Sequence, residues 1–519
     1  MRPPVYPEKL DAGLLKIAGV CILGALMTVL DTTVVNVAQR TFISQFHSTA
    51  AVVAWTMTAY TLALAAVIPL TGWAADRFGT KRLFILSLAL FSIGSLLCAV
   101  ASSIGLLITY RALQGLGGGM LMPLVYTILA REAGPARLGR LTSLLGVPLL
   151  IGPVCGPILG GWLIDAFSWP WIFLVNVPVG VIAIVLALLV FPKDKPAPSE
   201  SIDVLGMLLL CPGLAVFLYG VSMLPERGTV TDPHVWIPAI AGLGLVCGFV
   251  VHALARKLHP LIDLRLFRNR VVTLTNAAML FFSAAFYGGI LLLPSYFQQL
   301  FHQTPLQAGL HVIPQGLGAM LTMPAAGRIM DRHGVGKVVL AGIALMTAGM
   351  GLFADAVWRQ DSYAPLQVTG LVVFGMGMGA TMIPLTAAAV QTLLPRQVAR
   401  GSTLINVNQR VFGSVGTAVM AVILTSQFNH SDSITAANQL AAAQDQASRH
   451  QVPLDPAAVP PGTLQPGFTQ QLMTDLSHAY AVVFVVVAVL AALAALPAVL
   501  LPRKPVRPPA DPFAAPAPA

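Results

Sequence analysis

The sequence predicts an all-α polytopic membrane protein, and three observations carry that prediction. Of the 519 residues, 56% are hydrophobic and only 10% are charged, a composition outside the range of soluble domains. Apolar runs close to the roughly 20 residues that a helix needs to cross the hydrocarbon recur along the whole chain. The charged breaks between them alternate in basic content: segments containing Arg77–Arg82, Arg131–Arg140, Arg256–Arg270 and Arg328–Lys337 face segments that hold only Arg40, Arg227, Arg359 or Arg449. By the positive-inside rule the basic segments, and with them both termini, are cytoplasmic.

Taken in order, the apolar runs lie at approximately 17–37, 52–72, 83–101, 105–127, 139–164, 170–191, 203–223, 235–255, 271–297, 307–327, 338–354, 366–390, 401–426 and 479–501. Two stretches repeat at an offset of 255. Gly72-Trp73-Ala74-Ala75-Asp76-Arg77-Phe78-Gly79 follows the second run, and Gly327-Arg328-Ile329-Met330-Asp331-Arg332-His333-Gly334 follows the tenth. The layout is therefore an N-terminus over 1–16, six spans over 17–192, linkers and two extra spans over 193–270, and six spans over 271–501. A long outward segment at 428–478 interrupts the second set, and a Pro/Ala-rich, disordered tail covers 502–519. The outward segment, rich in Ala, Gln, Ser and Pro, reads as a partly ordered loop. The N-terminus lacks a cleavage pattern, so the first run reads as a retained span.

Several function classes fall away. The net charge of +10 is a topology signal and not a nucleic-acid footprint. Gly115-Leu116-Gly117-Gly118-Gly119 loosely suggests a dinucleotide loop, yet it lies inside an apolar run and follows no strand. The sequence contains no P-loop. Its ten histidines form no spaced metal cluster, and His311 reads as a hydrogen-bonded bundle residue. All five cysteines fall inside apolar runs and read as packing residues. An enzyme, a resident cofactor and a bound metal are not expected.

The chemistry concentrates on Asp31, in Leu30-Asp31-Thr32-Thr33-Val34-Val35-Asn36-Val37-Ala38. It is the one carboxylate in the body of a run. A charge near the centre of a membrane helix costs roughly 2.5–3.5 kcal/mol on insertion scales, so it normally faces a cavity or a partner. Arg111, the only basic residue in the body of a run in the first half, is the candidate partner. Burial raises a carboxylate's proton affinity and a nearby guanidinium lowers it, so small changes in hydration move the balance. A static buried ion pair that orients helices is the alternative, and for Arg111 gating support and structural pairing both stand. In the fifth run Gly152, Gly156 and Gly160 repeat every four residues and place one close-packing face along a helix. Pro148, Pro153 and Pro157 make it bendable, and Gly161 follows.

Gly152-Pro153, Gly156-Pro157 and Gly160-Gly161 together resemble the antiporter motif of the major facilitator superfamily. Gly72 to Arg82 is similar to its loop motif, and Leu107-Ile108-Thr109-Tyr110-Arg111-Ala112-Leu113-Gln114-Gly115-Leu116-Gly117 is similar to the span-four motif with a buried arginine. The Asp31 stretch and the number of spans resemble the DHA2 (EmrB/QacA-like) drug:proton antiporters. Thr80, Gln39-Arg40, His333 and Val335 depart from the family pattern. The resemblance implies a major facilitator fold, 6+2+6 helices around a central cavity that alternates between inward- and outward-open states. It implies that Asp76 and Arg77, with Gly72, Gly79, Lys81, Asp331 and Arg332, close a cytoplasmic gate; loop capping is the plainer reading.

Arg410, in Asn406-Val407-Asn408-Gln409-Arg410-Val411-Phe412-Gly413, is similar to a polar patch of this branch, and either lines the cavity or sits near its cytoplasmic side. The other cavity candidates are Trp55, Tyr60, Gln114, Phe286, Tyr287, Gln315, Met376, Met378, Asn406 and Gln409. Aromatics can hold cations and methionines adapt to shape, although both also serve as packing or lipid-facing residues. The implied function is proton-driven export of amphiphilic, cationic or neutral compounds by a monomer in a bacterial inner membrane, with a periplasmic adaptor as a possible partner. An exporter of an endogenous lipid, siderophore or metabolite would use the same machinery.

Overall fold

In the computed structural model the described residues are 11–504, apart from 134–136, 138–140, 142–151, 153–154, 157, 195–202, 228–230, 257–260, 302, 362, 394–396 and 451–458. Among them helices are the only regular structure. Eleven are long and apolar enough to cross a membrane, and one bent pair makes a twelfth span. The fifth apolar run lies partly outside the described residues, with helix at 158–166. The tenth forms a 21-residue helix, Ile313–His333, long enough to cross but diluted by Gln315, Thr322, Arg328 and Arg332. Twelve crossings and the Ile313–His333 helix coincide with thirteen of the apolar runs, and the fifth is described only in part.

In the first half, α1 (Ala12–Val37) begins five residues before its apolar run because Asp11 caps it, accepting from the Leu14 N–H at 2.7 Å. Helix α2 (Ala50–Val67) is followed after Pro69 by α3 (Leu70–Phe78), bent from it by 55°; proline cannot donate into the helical ladder. The stretch expected as a loop, Gly72–Phe78, is thus helical. The turn to α4 (Thr80–Ala99) is made at Gly79, whose φ of 94° favours glycine. Gly334 repeats it with φ 89° between α10 (Ile313–His333) and α11 (Val335–Trp358), so the 255-residue offset is a repeat of backbone geometry. Helices α5 (Ile104–Ala133) and α6 (Asn176–Val190) pack with α1 and α4.

Two further helices, α7 (Val204–Arg227) and α8 (Pro233–Ala255), pair with one another, and α7 leans on both α2 and α13 (Val398–Asn429). The Asp203 carboxylate ties this pair at one end. It accepts from the Gly206 and Leu261 N–H groups at 3.0 and 3.1 Å and meets His252 Nε2 at 2.8 Å. Burial opposes its ionisation, yet these hydrogen bonds hold its pKa below the ordinary carboxylate value. In the second half α9 (Arg270–Leu300) packs on α13, and α12 (Val368–Gln391) packs on α10 and α11. The outward segment contains a helix, α14 (Asp432–His450). It is anchored where Asp475 of α15 (Phe468–Leu493) accepts from Ser431 and Ser433 at 2.8 and 2.6 Å.

Candidate functional site

Asp31 sits in the last third of α1, and its side chain is fully buried against α5 and α6. Arg111 Nη1 donates to Asp31 Oδ2 at 2.7 Å, while Gln114 Nε2 and Asn176 Nδ2 donate to Oδ1 at 2.8 and 3.1 Å. The same two amides donate to Ser95 Oγ, each at 3.0 Å. Arg111 also donates to the Thr56 carbonyl at 3.2 Å and to Gln114 Oε1 at 2.6 Å. Its guanidinium lies 4.2 Å over the Tyr60 ring, and its Nη2 has no acceptor. An ionised carboxylate only accepts hydrogen bonds, so three donors around Asp31 fit the charged form. A proton added there would face a donor and displace one of them.

The carboxylate borders a cavity. With Asn176 it forms the polar end of a cavity of about 130 Å³, otherwise walled by aliphatic residues such as Leu26, Leu30, Leu159 and Val179. The glycine helix lies against the same stretch of α1. A side chain at Gly152 would meet Val29, one at Gly156 would meet Thr33, and one at Gly160 would meet Val34. Thr33 donates to the Gly152 carbonyl at 3.2 Å. Gly161 points elsewhere, with nothing within 4 Å of its would-be Cβ. Pro153 and Pro157 lie outside the described residues. The Gly115–Gly119 run that resembles a dinucleotide loop instead lets α5 approach the backbones of α2 and α4 closely.

The two halves meet at the end carrying the short basic connections. Asp76 pairs with Arg131 of its own half at 2.7 Å and with Arg400 of the other half at 4.0 Å. Thr127 and Ser402 share a hydrogen bond of 2.7 Å across the halves, and a side chain at Gly72 would meet Ala399, Arg400 and Thr403. This end of the interface is closed. Arg77 is half-buried and makes no ion pair among the described residues. Lys81 instead spends its Nζ on the Leu188 and Phe191 carbonyls at 2.6 and 2.9 Å. Asp194 caps α4, accepting from the Lys81 and Arg82 N–H groups at 2.8 and 3.0 Å. In the second half a backbone group does the same work: Gly336 N–H donates to the Pro502 carbonyl at 2.9 Å. Arg332 is exposed, and the Asp331 side chain lies outside the described set.

The remaining candidates separate into groups. Tyr60 and Gln114 belong to the Asp31 network. Tyr287, Gln409 and Arg410 line a second cavity, of about 90 Å³, where α2, α7, α9 and α13 meet. Asn406 is buried one turn from it and donates to the Ser402 carbonyl at 2.8 Å. Trp55 stacks on Tyr219 of α7, with centroids 5.6 Å apart, and so faces the extra pair. Phe286 stacks on Phe282. Gln315 and Met378 touch one another in the packing of α10 on α12, and Met376 offers only its carbonyl, to Thr322. His311 rests against Tyr363 and Phe297. Sequence reasoning missed Ser95, Asn176, Arg131, Asp194 and Arg400. Of these, only Asn176, an amide amid apolar residues, carries a local signal.

Comparison with known proteins agrees with this geometry. The Major Facilitator Superfamily profile matches residues 21–417. The chain is 58% identical over 499 residues to the multidrug resistance protein B homolog of Mycobacterium tuberculosis H37Rv, covering 96% of this chain and 92% of that protein. It is 30% identical over 413 residues to the multidrug export protein EmrB of Escherichia coli K12, covering 78% and 79% respectively. Among solved structures, the human organic anion transporter MFSD10 superposes with a TM-score of 0.59 at 16% identity, over 93% of this chain and all of that one. The proton:xylose symporter XylE gives a TM-score of 0.56 at 15% identity, over 92% and 94%. A profile match over most of the chain, relatives at these identities and the major facilitator fold converge: this multi-pass membrane protein belongs to the major facilitator superfamily, in its DHA2, EmrB-like branch.

Proposed function

We propose that this chain is a multidrug efflux transporter that exports amphiphilic compounds in exchange for protons. The names of its relatives support the efflux reading. The observation that carries proton exchange is Asp31: a fully buried carboxylate with one arginine and two amide donors, lining a cavity, on a helix gripped by the glycine face. Protonation removes the charge that Arg111, Gln114 and Asn176 converge on, so it loosens α1 from α5 and α6. Loss of the proton restores the three hydrogen bonds. A two-state packing of α1 biased by one proton is what links a gradient to helix movement.

The closed end, held by Asp76, Arg400, Thr127 and Ser402, is the cytoplasmic gate in this reading. Both termini lie on that side, as the basic loops indicate. The test uses everted membrane vesicles whose lumen has been acidified, reported by a pH-sensitive fluorophore. Adding ethidium, rhodamine 6G or an amphiphilic sulfonate to wild-type vesicles releases lumenal protons for those compounds that are exchanged. The expected outcome is release with wild type and none with Asp31→Asn. Equal release from both removes Asp31 from the mechanism.

A further inference from the structure

We infer that the cavity at Arg410 is a binding subsite for an anionic headgroup, a carboxylate, sulfonate or phosphate carried on an amphiphile. Asp31 is neutralised by Arg111 within one buried pair. Arg410 has no counterpart: among the described residues its guanidinium makes no ion pair and no hydrogen bond, although it stands 12 residues, about 18 Å, along α13, well inside the hydrocarbon.

The surroundings of Arg410 are polar and uncharged. Ser414 and Tyr287 line the same cavity with hydroxyls that make no hydrogen bond among the described residues. Thr61 and Thr417 also line it but direct their hydroxyl protons to the Met57 and Ser414 carbonyls. The Gln409 amide makes only a contact of 3.5 Å to Met279 sulfur. Among the described residues no carboxylate lines the cavity. A guanidinium with two free hydroxyls and no acceptor of full charge selects an anion, and of the cationic or neutral cargo expected from sequence it disfavours the cationic.

Position points the same way. The cavity takes Thr61 from the first half, Tyr287 and α13 from the second, and Leu218 from the extra helix α7. It lies about two turns of α13 beyond the seal at Ser402 and Thr403. An anion held there touches both bundles, so its hold changes when they move. This assignment deepens the exporter reading and rests on it only in taking the anion as cargo.

The test measures binding to the purified full-length chain in nanodiscs, without a gradient, so its outcome is independent of proton coupling. The probes are dansyl-aminoundecanoic acid and its methyl ester, which share a body and differ in charge. The acid is expected to bind wild type at least about tenfold more tightly than the ester, as one charge-assisted contact implies. Arg410→Gln abolishes that preference, and Arg410→Lys keeps most of it. Replacing phosphatidylcholine discs by phosphatidylglycerol discs identifies the source of the anion: competition assigns the subsite to a lipid headgroup, and its absence assigns it to soluble amphiphiles. Equal affinity of acid and ester for wild type, or a preference that survives in Arg410→Gln with the fold intact by thermal melt, overturns the inference.

Discussion

Two arginines stand inside the membrane, Arg111 in the first half and Arg410 in the second, and they are used in opposite ways. Arg111 is fully buried, bonded to Asp31, Gln114 and Thr56, and stacked on Tyr60. Arg410 is half-buried, faces a cavity and has no partner among the described residues. A charge at this depth costs roughly 2.5–3.5 kcal/mol, which Asp31 offsets for one and no ion pair among the described residues offsets for the other. The difference separates roles. In the proposed reading the first half holds a closed, switchable charge pair, and the second half holds an open charge that a ligand can satisfy. It also alters the electrical character of the cycle. A cation leaving as one proton enters moves no net charge, whereas an anion leaving as one proton enters moves two in the same sense. At ~2.3 kcal/mol per charge per 100 mV the membrane potential then drives the exchange.

The largest expected effect breaks that comparison at its base. Arg111→Gln leaves Asp31 charged and unpaired in the interior, which costs on the order of 3–5 kcal/mol. Arg410→Gln removes no partner and takes away an uncompensated charge, so it does not lower stability. Thermal unfolding in detergent reads both; equal losses would mean that the two arginines are equivalent. Next comes the glycine face. Gly156→Val thrusts a side chain at Thr33 and costs about 1–3 kcal/mol by overpacking, with loss of efflux, whereas Gly161→Val meets open space and leaves efflux intact.

The extra helix pair gives a pH-dependent contrast. The Asp203 pKa is depressed on folding, so its stabilisation is present above the ordinary carboxylate pKa and is lost as pH falls through the folded value. Asp203→Asn therefore lowers the melting temperature at pH 7, and the gap to wild type closes below about pH 4. The smallest effect compares the repeated turns. Asp194→Ala uncaps α4 and costs about 1 kcal/mol, increasing hydrogen exchange at residues 80–84. The matching turn at Gly334, held by a backbone carbonyl, is unchanged.

How much of this was legible in the sequence follows from the range of each interaction. Asp31 and Arg111 stood out because a charge in an apolar run has few explanations. The four-residue spacing of Gly152, Gly156 and Gly160 defined a face before its neighbour was known. Asp76 and Arg400 could not be paired from sequence, since their contact exists only when the two halves dock. Asp194 sits in a linker whose composition gives no hint that it caps a helix far upstream. Ser95 is one of many small polar residues in spans, and only three-dimensional packing sets it beneath two amides. Arg410 was visible as a charge, but its lack of a partner is a property of what surrounds it. That one absence is what the proposed anion subsite rests on, where the sequence led to cationic or neutral cargo.

The central claim is that Asp31 is the group through which protons drive transport, and reconstituted vesicles test it most directly. Purified wild type and Asp31→Asn are compared for two activities with one labelled amphiphile: accumulation driven by an imposed pH gradient, and exchange of labelled for unlabelled compound with no gradient. The account predicts that Asp31→Asn keeps exchange and loses gradient-driven accumulation. Gradient-driven accumulation at the wild-type level in Asp31→Asn would contradict it.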